Sequence, residues 1–311
     1  MIYIYTYRED QTANSIMDWL AKYNIPCRRV NSDSFYSFYD LELSEKKTDD
    51  VHWFWKWRMP DFRENAYYED EINNKAVNKA MTSEYKDLFS AYFDNIQGEI
   101  INHPHYVDID KLSQLRIASQ CGLIVPATIV TSQKSSLLSF FSKHKQIITK
   151  NLIASVLLEF DDVYYQSLTS LVSKEFIDKQ PDCFFPSLFQ ETIEKEFELR
   201  VIYIGGQFFS CAIVNVDDSV TDSREAVNSR EAQLIPYKLP AEIECKLHDF
   251  MQRTNLQIGS IDMIYNENGY VFLEVNPSGQ MLGYSEACNY NIEKTIAQYL
   301  INESNGENKE S

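Results

Sequence analysis

Between Gly259 and Gly283 the chain reads G-S-I-D-M-I-Y-N-E-N-G-Y-V-F-L-E-V-N-P-S-G-Q-M-L-G, and no other stretch limits its fold as tightly. Two apolar runs rich in β-branched and aromatic residues flank Asn268–Gly269, the signal of a β-hairpin. Three oxygen-bearing side chains stand out in it: Asp262 on the first strand, Glu274 and Asn276 on the second. Side chains alternate faces along a strand, so Glu274 and Asn276 point the same way. Whether Asp262 joins them depends on register. A two-residue loop of Asn268 and Gly269 pairs Glu267 with Tyr270 and sends Asp262 to the opposite face. A three-residue loop, Glu267–Gly269, pairs Asn266 with Tyr270 and sets Asp262 opposite Glu274. It gives Gly269 the left-handed position of a bulged turn. It also gathers Ile261, Met263, Val271, Leu273 and Val275 on a buried face, and it is the register expected here. Two carboxylates and an amide oxygen on one face suit a hard cation such as Mg²⁺, which takes few protein oxygens alongside waters and phosphates. The same residues equally suit a solvated strand face, so the rest of the chain has to decide.

A chain of 311 residues can bury a substantial core over two or three domains, and 44% hydrophobic residues mark it as globular. Its net charge is 29 − 46 = −17, which argues against nucleic acid and anionic membrane surfaces as partners. An anionic ligand must therefore meet locally concentrated Lys and Arg. The six cysteines (Cys27, Cys121, Cys183, Cys211, Cys245, Cys288) are scattered with no C-x-x-C pair. Free thiols in a reducing compartment are expected. The opening residues lack the layout of a signal peptide and no apolar run reaches membrane-span length, so a cytoplasmic protein is expected.

The chain opens β-α-β: Ile2–Thr6 as a buried strand, Thr12–Tyr23 as a helix, Cys27–Val30 as a parallel partner. No G-x-G-x-x-G lies in the first turn, so no dinucleotide site is expected there. Phe35–Leu43 and Val51–Arg58 read as further strands. In the second, Trp53, Trp55 and Trp57 share one face, and Lys56 and Arg58 form a local basic pair on the other. Tyr67–Phe93 is helical, and Asn102–His105 reads as a linker. His103 and His105 flank Pro104 with no partner cluster in sequence, so no metal is expected there. Asp108–Cys121 is a helix with Asp108 as N-cap and Gly122 as its stop. Val156–Tyr165, turning at Asp161–Asp162, and Leu171–Ile177 read as antiparallel strands. Ser187–Ile193, Phe197–Ile204 and Gln207–Val216 follow, the last two joined at Gly205–Gly206. Asp217–Arg230 is polar and aperiodic, a surface loop. Leu239–Thr254 and Ile292–Leu300 are helices, and residues 302–311 form a polar tail expected to be disordered.

Three stretches upstream of the hairpin carry what a nucleotide site with Mg²⁺ requires. Lys150 ends an apolar strand, where its stem can be buried and its ammonium projected into a cleft. Backbone around Gln190, Glu191, Thr192 and Ile193 can hydrogen-bond an adenine edge. Glu198 and Arg200 lie two apart, hence on one face, the first able to accept from ribose hydroxyls and the second to grip phosphate.

The ordered set of Lys at a strand end, Q-E-x-I, E-L-R, D and E-x-N-P-S-G-Q resembles the ATP-grasp ligases. The likeness runs from about Asn102 to Gly283 and includes Asn102, Pro104, Lys111, Gln114, Leu115, Ala118, Gly122, Val125, Pro126 and Thr128. More narrowly the chain is similar to the peptide-modifying, graspetide (microviridin-type) branch, and within it to the maturase of grasp-with-spasm peptide systems. The opening β-α-β, the W-x-W-R of Trp55–Arg58, Asp222-Ser-Arg224 and Pro236-Tyr-Lys-Leu-Pro240 carry that narrower likeness. The resemblance implies an α/β (α+β) ATP-grasp fold: an N-terminal parallel α/β domain over 1–105, a central subdomain over 106–185, and a C-terminal antiparallel-sheet subdomain over 186–301. ATP would lie between the last two. It further implies that Asp262, Glu274 and Asn276 hold two Mg²⁺ against the ATP phosphates. Lys150 and Arg200 would contact the phosphates, Gln190–Ile193 the adenine and Glu198 the ribose, with Lys111 also among the nucleotide-binding residues. Arg58 and Arg224 fall where such ligases place basic residues near an acidic peptide. One departure stands out: the segment between Lys150 and Leu171, where a glycine-rich phosphate lid is usual, has no glycine.

The function implied is an ADP-forming ligase. It would phosphorylate Asp or Glu side chains of a ribosomally made precursor peptide, with leader and acidic core. It would then join them to Ser/Thr hydroxyls (ω-ester) or Lys amines (ω-amide) as macrocycles. A ligase that extends a protein C-terminus or makes a small dipeptide is the alternative, and a nucleotide-binding peptide carrier without turnover is a third. A homodimer is the default assembly.

Overall fold

The computed structural model describes residues 1–32, 48–57, 71–144, 146–152, 157–160, 163–166, 169–215 and 232–306. The expected strand at Phe35–Leu43, the loop Asp217–Arg230, and both Arg58 and Arg224 lie outside these residues. The chain opens with β1 (Ile2–Thr6), α1 (Gln11–Lys22) and β2 (Cys27–Asn31). With β3 (Val51–Phe54) and β4 (Glu99–Ile101) they form a parallel sheet of order β2-β1-β3-β4. Buried Asp10 caps α1 by accepting from Ala13 N at 2.7 Å, and its other oxygen accepts from the Trp55 indole at 3.1 Å. The strand expected over Val51–Arg58 stops at Phe54. Past that point alternation lapses, so Trp53 and Trp55 share one core while Trp57 packs with Phe54 on the other side.

After α2 (Glu71–Asn95) and β4, the chain passes buried Asn102 into α3 (Pro104–Val107) and α4 (Lys111–Gln120). The cap of α4 is Asp110, which accepts from Leu112 N and Ser113 N at 3.0 Å each; Asp108 instead closes the short α3. Gly122, with φ +77°, supplies the stop expected of it. A central sheet of order β5-β10-β6-β9 follows, built from β5 (Thr128–Gln133), β6 (Ile147–Thr149), β9 (Ser170–Val172) and β10 (Cys183–Glu191). The helices α5 (Lys134–Lys143) and α6 (Lys174–Lys179) cover one face, enclosing Leu137, Ile147, Val172, Ile177 and Phe189. The strands β7 (Leu157–Phe160) and β8 (Val163–Gln166) pair antiparallel, with Phe160 opposite Val163.

The last sheet is antiparallel, in order β13-β12-β11-β14-β15. Its strands are β11 (Phe197–Ile204), β12 (Gln207–Asn215), β13 (Ala232–Tyr237), β14 (Ile258–Asn266) and β15 (Gly269–Asn276). Gly205 and Gly206, both at positive φ, form the tight turn between β11 and β12. On one face, α4 and α7 (Ala241–Arg253) pack on Leu199, Val201, Ile261, Met263, Phe272 and Val275. The opposite face divides along β11. Ile202 and Ile204 join the core made by β1, β3, α1 and the closing helix α9 (Ile292–Asn305), which continues past Leu300 into the stretch expected to be tail. Glu198 and Arg200, further along the same face, are left at the edge of that core.

The β14–β15 hairpin sets Asp262 opposite Glu274 by a route other than a three-residue loop. Its loop is Glu267–Asn268, with Asn266 opposite Gly269 and Tyr265 opposite Tyr270. Gly269 does take positive φ, +107°. A two-residue loop alone would set Asp262 opposite Leu273. A β-bulge between Phe272 and Glu274 inserts Leu273 and shifts the pairing by one, so Asp262 still faces Glu274. The inserted residue also inverts the faces. Phe272 enters the core beside Met263, Val271 moves to the other face opposite Ile264, and Leu273 is only half-buried. Val271 is buried as expected but from the other face, so the face shared with Ile261 and Met263 carries Phe272 and Val275 in place of Val271, Leu273 and Val275.

Candidate functional site

The site grows from one row of paired residues. Glu274 on β15, Asp262 on β14 and Arg200 on β11 are direct cross-strand neighbours. One row further, Asn276 pairs with Ser260. Because period-two alternation puts Ser260 and Asp262 on one face, Arg200 can reach both. Its Nε lies 2.9 Å from Asp262 Oδ1, and its Nη1 donates to Ser260 Oγ at 3.1 Å. The first contact is an ion pair without an aligned hydrogen bond, since Nε makes none. Tyr284, on α8 (Leu282–Cys288), lies over the guanidinium with its ring centroid 5.3 Å from Cζ. Burial pushes the Tyr284 phenol up, and Arg200 beside it works in the opposite direction.

Lysines close the row from the other side. Lys111, at the first turn of α4, places Nζ 3.1 Å from Glu274 Oε2. Lys150, just past the end of β6, feels Glu274, Asp262 and Lys111 together. Desolvation holds its ammonium below the usual lysine value, with Lys111 adding to the shift while Glu274 and Asp262 oppose it. Two carboxylates and three cations thus meet at a partly buried surface, with Arg200 only 12% exposed.

Each carboxylate sits on a backbone fixed from behind. β15 is the edge of its sheet, and there buried Gln114 acts as a substitute strand. Its Oε1 accepts from Val275 N at 2.8 Å and its Nε2 donates to Val275 O at 3.2 Å. Phe272 N donates to Ile124 O at 2.8 Å further along the same edge. Past Asn276, the Pro277–Gly279 turn folds against β14, and a Cβ on Gly279 would come within 2.6 Å of Ser260 Cβ. Asn276 Oδ1 accepts from Ser278 N at 3.1 Å, which orients the exposed amide. At the far end of β14, Asn102 accepts from the backbone N–H of Gln257 and Ile258 at 3.0 Å each and donates to Ile258 O at 2.8 Å. That clamp ties β14 to β4.

Glu198 shares the Arg200 face, and its carboxylate accepts from Lys195 Nζ at 2.5 Å. The Gln190–Ile193 stretch lies at the end of β10. There the side chain of Gln190 donates to Thr128 Oγ1, and Glu191 is held by Ala127 N and His144. The N–H groups of Glu191 and Thr192 are taken by Ala127 O and Gln146 O. Those side chains are thus spent on the central sheet, and what the stretch offers a ligand is backbone beyond them. The structure brings together Asp262, Glu274, Arg200, Lys111 and Lys150, with Asn276 at their margin. Arg58 and Arg224 lie outside the described residues. Sequence reasoning passed over Ser260 and Tyr284. Ser260 carried a signal, standing two residues before Asp262; Tyr284 carried none, because only the docking of α8 brings it to Arg200.

No family model matches the sequence, and no curated protein matches it. Solved structures do. The macrocyclase MdnC from Microcystis aeruginosa MRC, bound with precursor peptide MdnA, is 26% identical, with a TM-score of 0.80 over 97% of this chain and 99% of that one. A Chryseobacterium gregarium RiPP-associated ATP-grasp ligase, in complex with ADP and a leader and core peptide, is 22% identical with a TM-score of 0.79, covering 97% and 96%. The ATP-grasp ligase PsnB, complexed with minimal precursor, Mg and ADP, is 17% identical with a TM-score of 0.76, covering 97% of each chain. The protein has the ATP-grasp fold, matched over 97% of the chain, and its structural likeness is to the peptide-modifying, graspetide-type ligases.

Proposed function

We propose that the protein is an ATP-dependent ligase acting on a ribosomally made precursor peptide. It activates Asp or Glu side chains of the peptide and joins them to Ser/Thr hydroxyls (ω-ester) or Lys amines (ω-amide), closing macrocycles. The observation that carries the reading is the Glu274–Asp262–Arg200 row with Lys111 and Lys150 beside it, on a fold shared over 97% of the chain with a precursor-bound macrocyclase. The unpaired cysteines support a reducing, cytoplasmic setting.

The donor set fits Mg²⁺. Asp262 and Glu274 are oxygen donors held opposite one another, and Asn276 adds a third. Their charges are met by Arg200 and Lys111, the groups that phosphate oxygens would draw away. When bound, Mg²⁺ supplies charge neutralisation and alignment of the phosphates. Lys150 and Arg200 stabilise charge on the transferring phosphoryl group, and Lys111 holds the nucleotide. Backbone at Gln190–Ile193 receives the adenine and Glu198 the ribose. Arg58 and Arg224 face the acidic peptide.

A carboxylate resists attack because it is anionic and lacks a leaving group. Transfer of the γ-phosphoryl group to its oxygen yields an acyl phosphate and ADP. The peptide's own hydroxyl or amine then attacks the acyl carbon, expelling phosphate. The chain's residues act by positioning and charge, with no covalent enzyme intermediate. Incubation with precursor, ATP and Mg²⁺ is expected to lower the peptide mass by one water per ring and to release ADP. AMP release would overturn the acyl-phosphate route, and a gain in peptide mass would point to amino-acid addition.

A further inference from the structure

Away from the cleft, one cluster of side chains brings three metal-binding donors together. The sequence around His103 and His105 offers no third ligand, but the fold supplies one: Asp94, in the last turn of α2. Asp94 Oδ1 lies 2.9 Å from His105 Nε2 and 3.7 Å from His103 Nε2, and one donor atom from each residue falls within 4.8 Å of the others. The two imidazoles are stacked, with centroids 4.9 Å apart and planes 26° apart. Both turn the same ring nitrogen toward one carboxylate oxygen. Two imidazolium ions stacked so closely repel each other, whereas a single divalent cation satisfies all three groups at once.

The donors sit on fixed backbone. Asn102, at φ +55° and fully buried, is clamped to Gln257 and Ile258 immediately before them, and Pro104 stands between the two histidines. His103 is mostly buried, while Asp94 and His105 are half-exposed, so one side stays open to water. We propose that Asp94, His103 and His105 bind a divalent cation of the Zn²⁺ class through two imidazole nitrogens and one carboxylate oxygen, with solvent completing the shell. Nitrogen donors select this class over Mg²⁺, which favours oxygen alone. Ligation through His103 Nε2 places the ring proton on Nδ1, so the long 3.2 Å contact from His105 N–H to that atom opens. The ion ties the end of α2 to the junction between β4 and α3, and the site is independent of the ligase reading.

Equilibrium dialysis of the metal-free full chain against Zn²⁺, in excess Mg²⁺ to fill oxygen-only sites, tests the proposal. One bound Zn²⁺ per chain is expected, lost in His105→Ala and in the isosteric Asp94→Asn, and retained in Glu274→Gln. Absence of bound Zn²⁺ in the unmodified chain overturns the site, as does Zn²⁺ that persists in Asp94→Asn or disappears only in Glu274→Gln. Should His105→Ala not fold, Asp94→Asn decides, since it alters a half-exposed oxygen and leaves packing intact.

Discussion

The central sheet and the C-terminal sheet both contribute to the cleft, but they are held in different ways. The C-terminal sheet is pinned at several points: Gln114 seals its β15 edge, Asn102 locks β14 to β4, and an apolar core packs on each face. The central sheet closes over its own small core of Leu137, Ile147, Val172, Ile177 and Phe189, which stands apart from the others. Groups that must keep their geometry through a reaction, Asp262, Glu274 and Arg200, sit on the pinned sheet. Lys150 comes from the other. A preorganised half and a half able to adjust is the division expected when a site must both align charge and admit substrates.

The largest effect expected is on the pinned half. Glu274→Ala removes one carboxylate from the row and should lower macrocyclisation by at least about 100-fold, read by peptide mass, with the melting temperature little changed. Retained turnover would remove Glu274 from the metal-binding set. Next in size is Asn102→Ala, which strips partners from the buried N–H groups of Gln257 and Ile258 and places a Cβ-only residue at φ +55°. A loss of about 3 kcal/mol in denaturant unfolding is expected. Hydrogen exchange should rise in β14 and β4 while amides of β10 keep their protection; equal loosening of both sheets would erase the distinction drawn between them.

The smallest effect concerns the adjustable half. Lys150 titrates below the ordinary lysine value because of desolvation. Its folded-state pKa is depressed, so the unfolded chain binds more protons between that pKa and the usual one, and the Lys150 contribution to stability rises with pH across that window. Phosphate binding needs the ammonium form, so the KM for ATP should climb as pH passes the depressed pKa. Lys150→Arg should move that alkaline limb upward. An unmoved limb would show that Lys150 does not meet the phosphates.

Much of the architecture was legible because it rests on local patterns. The apolar run Ile2–Thr6, the Gly205–Gly206 turn and the two-residue spacing of Glu198 and Arg200 each fix geometry over a few residues. What escaped depends on contacts between distant segments. Asp110 rather than Asp108 caps α4 because α3 had already used Asp108. Leu273 bulges in β15, an irregularity that alternation cannot anticipate, and Phe272 entered the core as a result. In the site, Asp262 and Glu274 were readable, whereas Tyr284 over Arg200 and Asp94 beside the two histidines were assembled only by helix docking.

The mixed core beneath β1 has a consequence for how the chain is made. Ile2 and Ile4 share a core with Ile292, Ile296 and Leu300, which are made much later in translation. At ribosomal speeds the opening strand waits roughly 15–60 s for the helix that completes its shelter. During that interval Ala13, Ile16 and Leu20 of α1 can cover part of its apolar face, and the rest stays open until α9 has emerged. A truncation that removes α9 would strip packing from Ile2 and Ile4 of the N-terminal sheet and from Ile202 and Ile204 of the C-terminal sheet together.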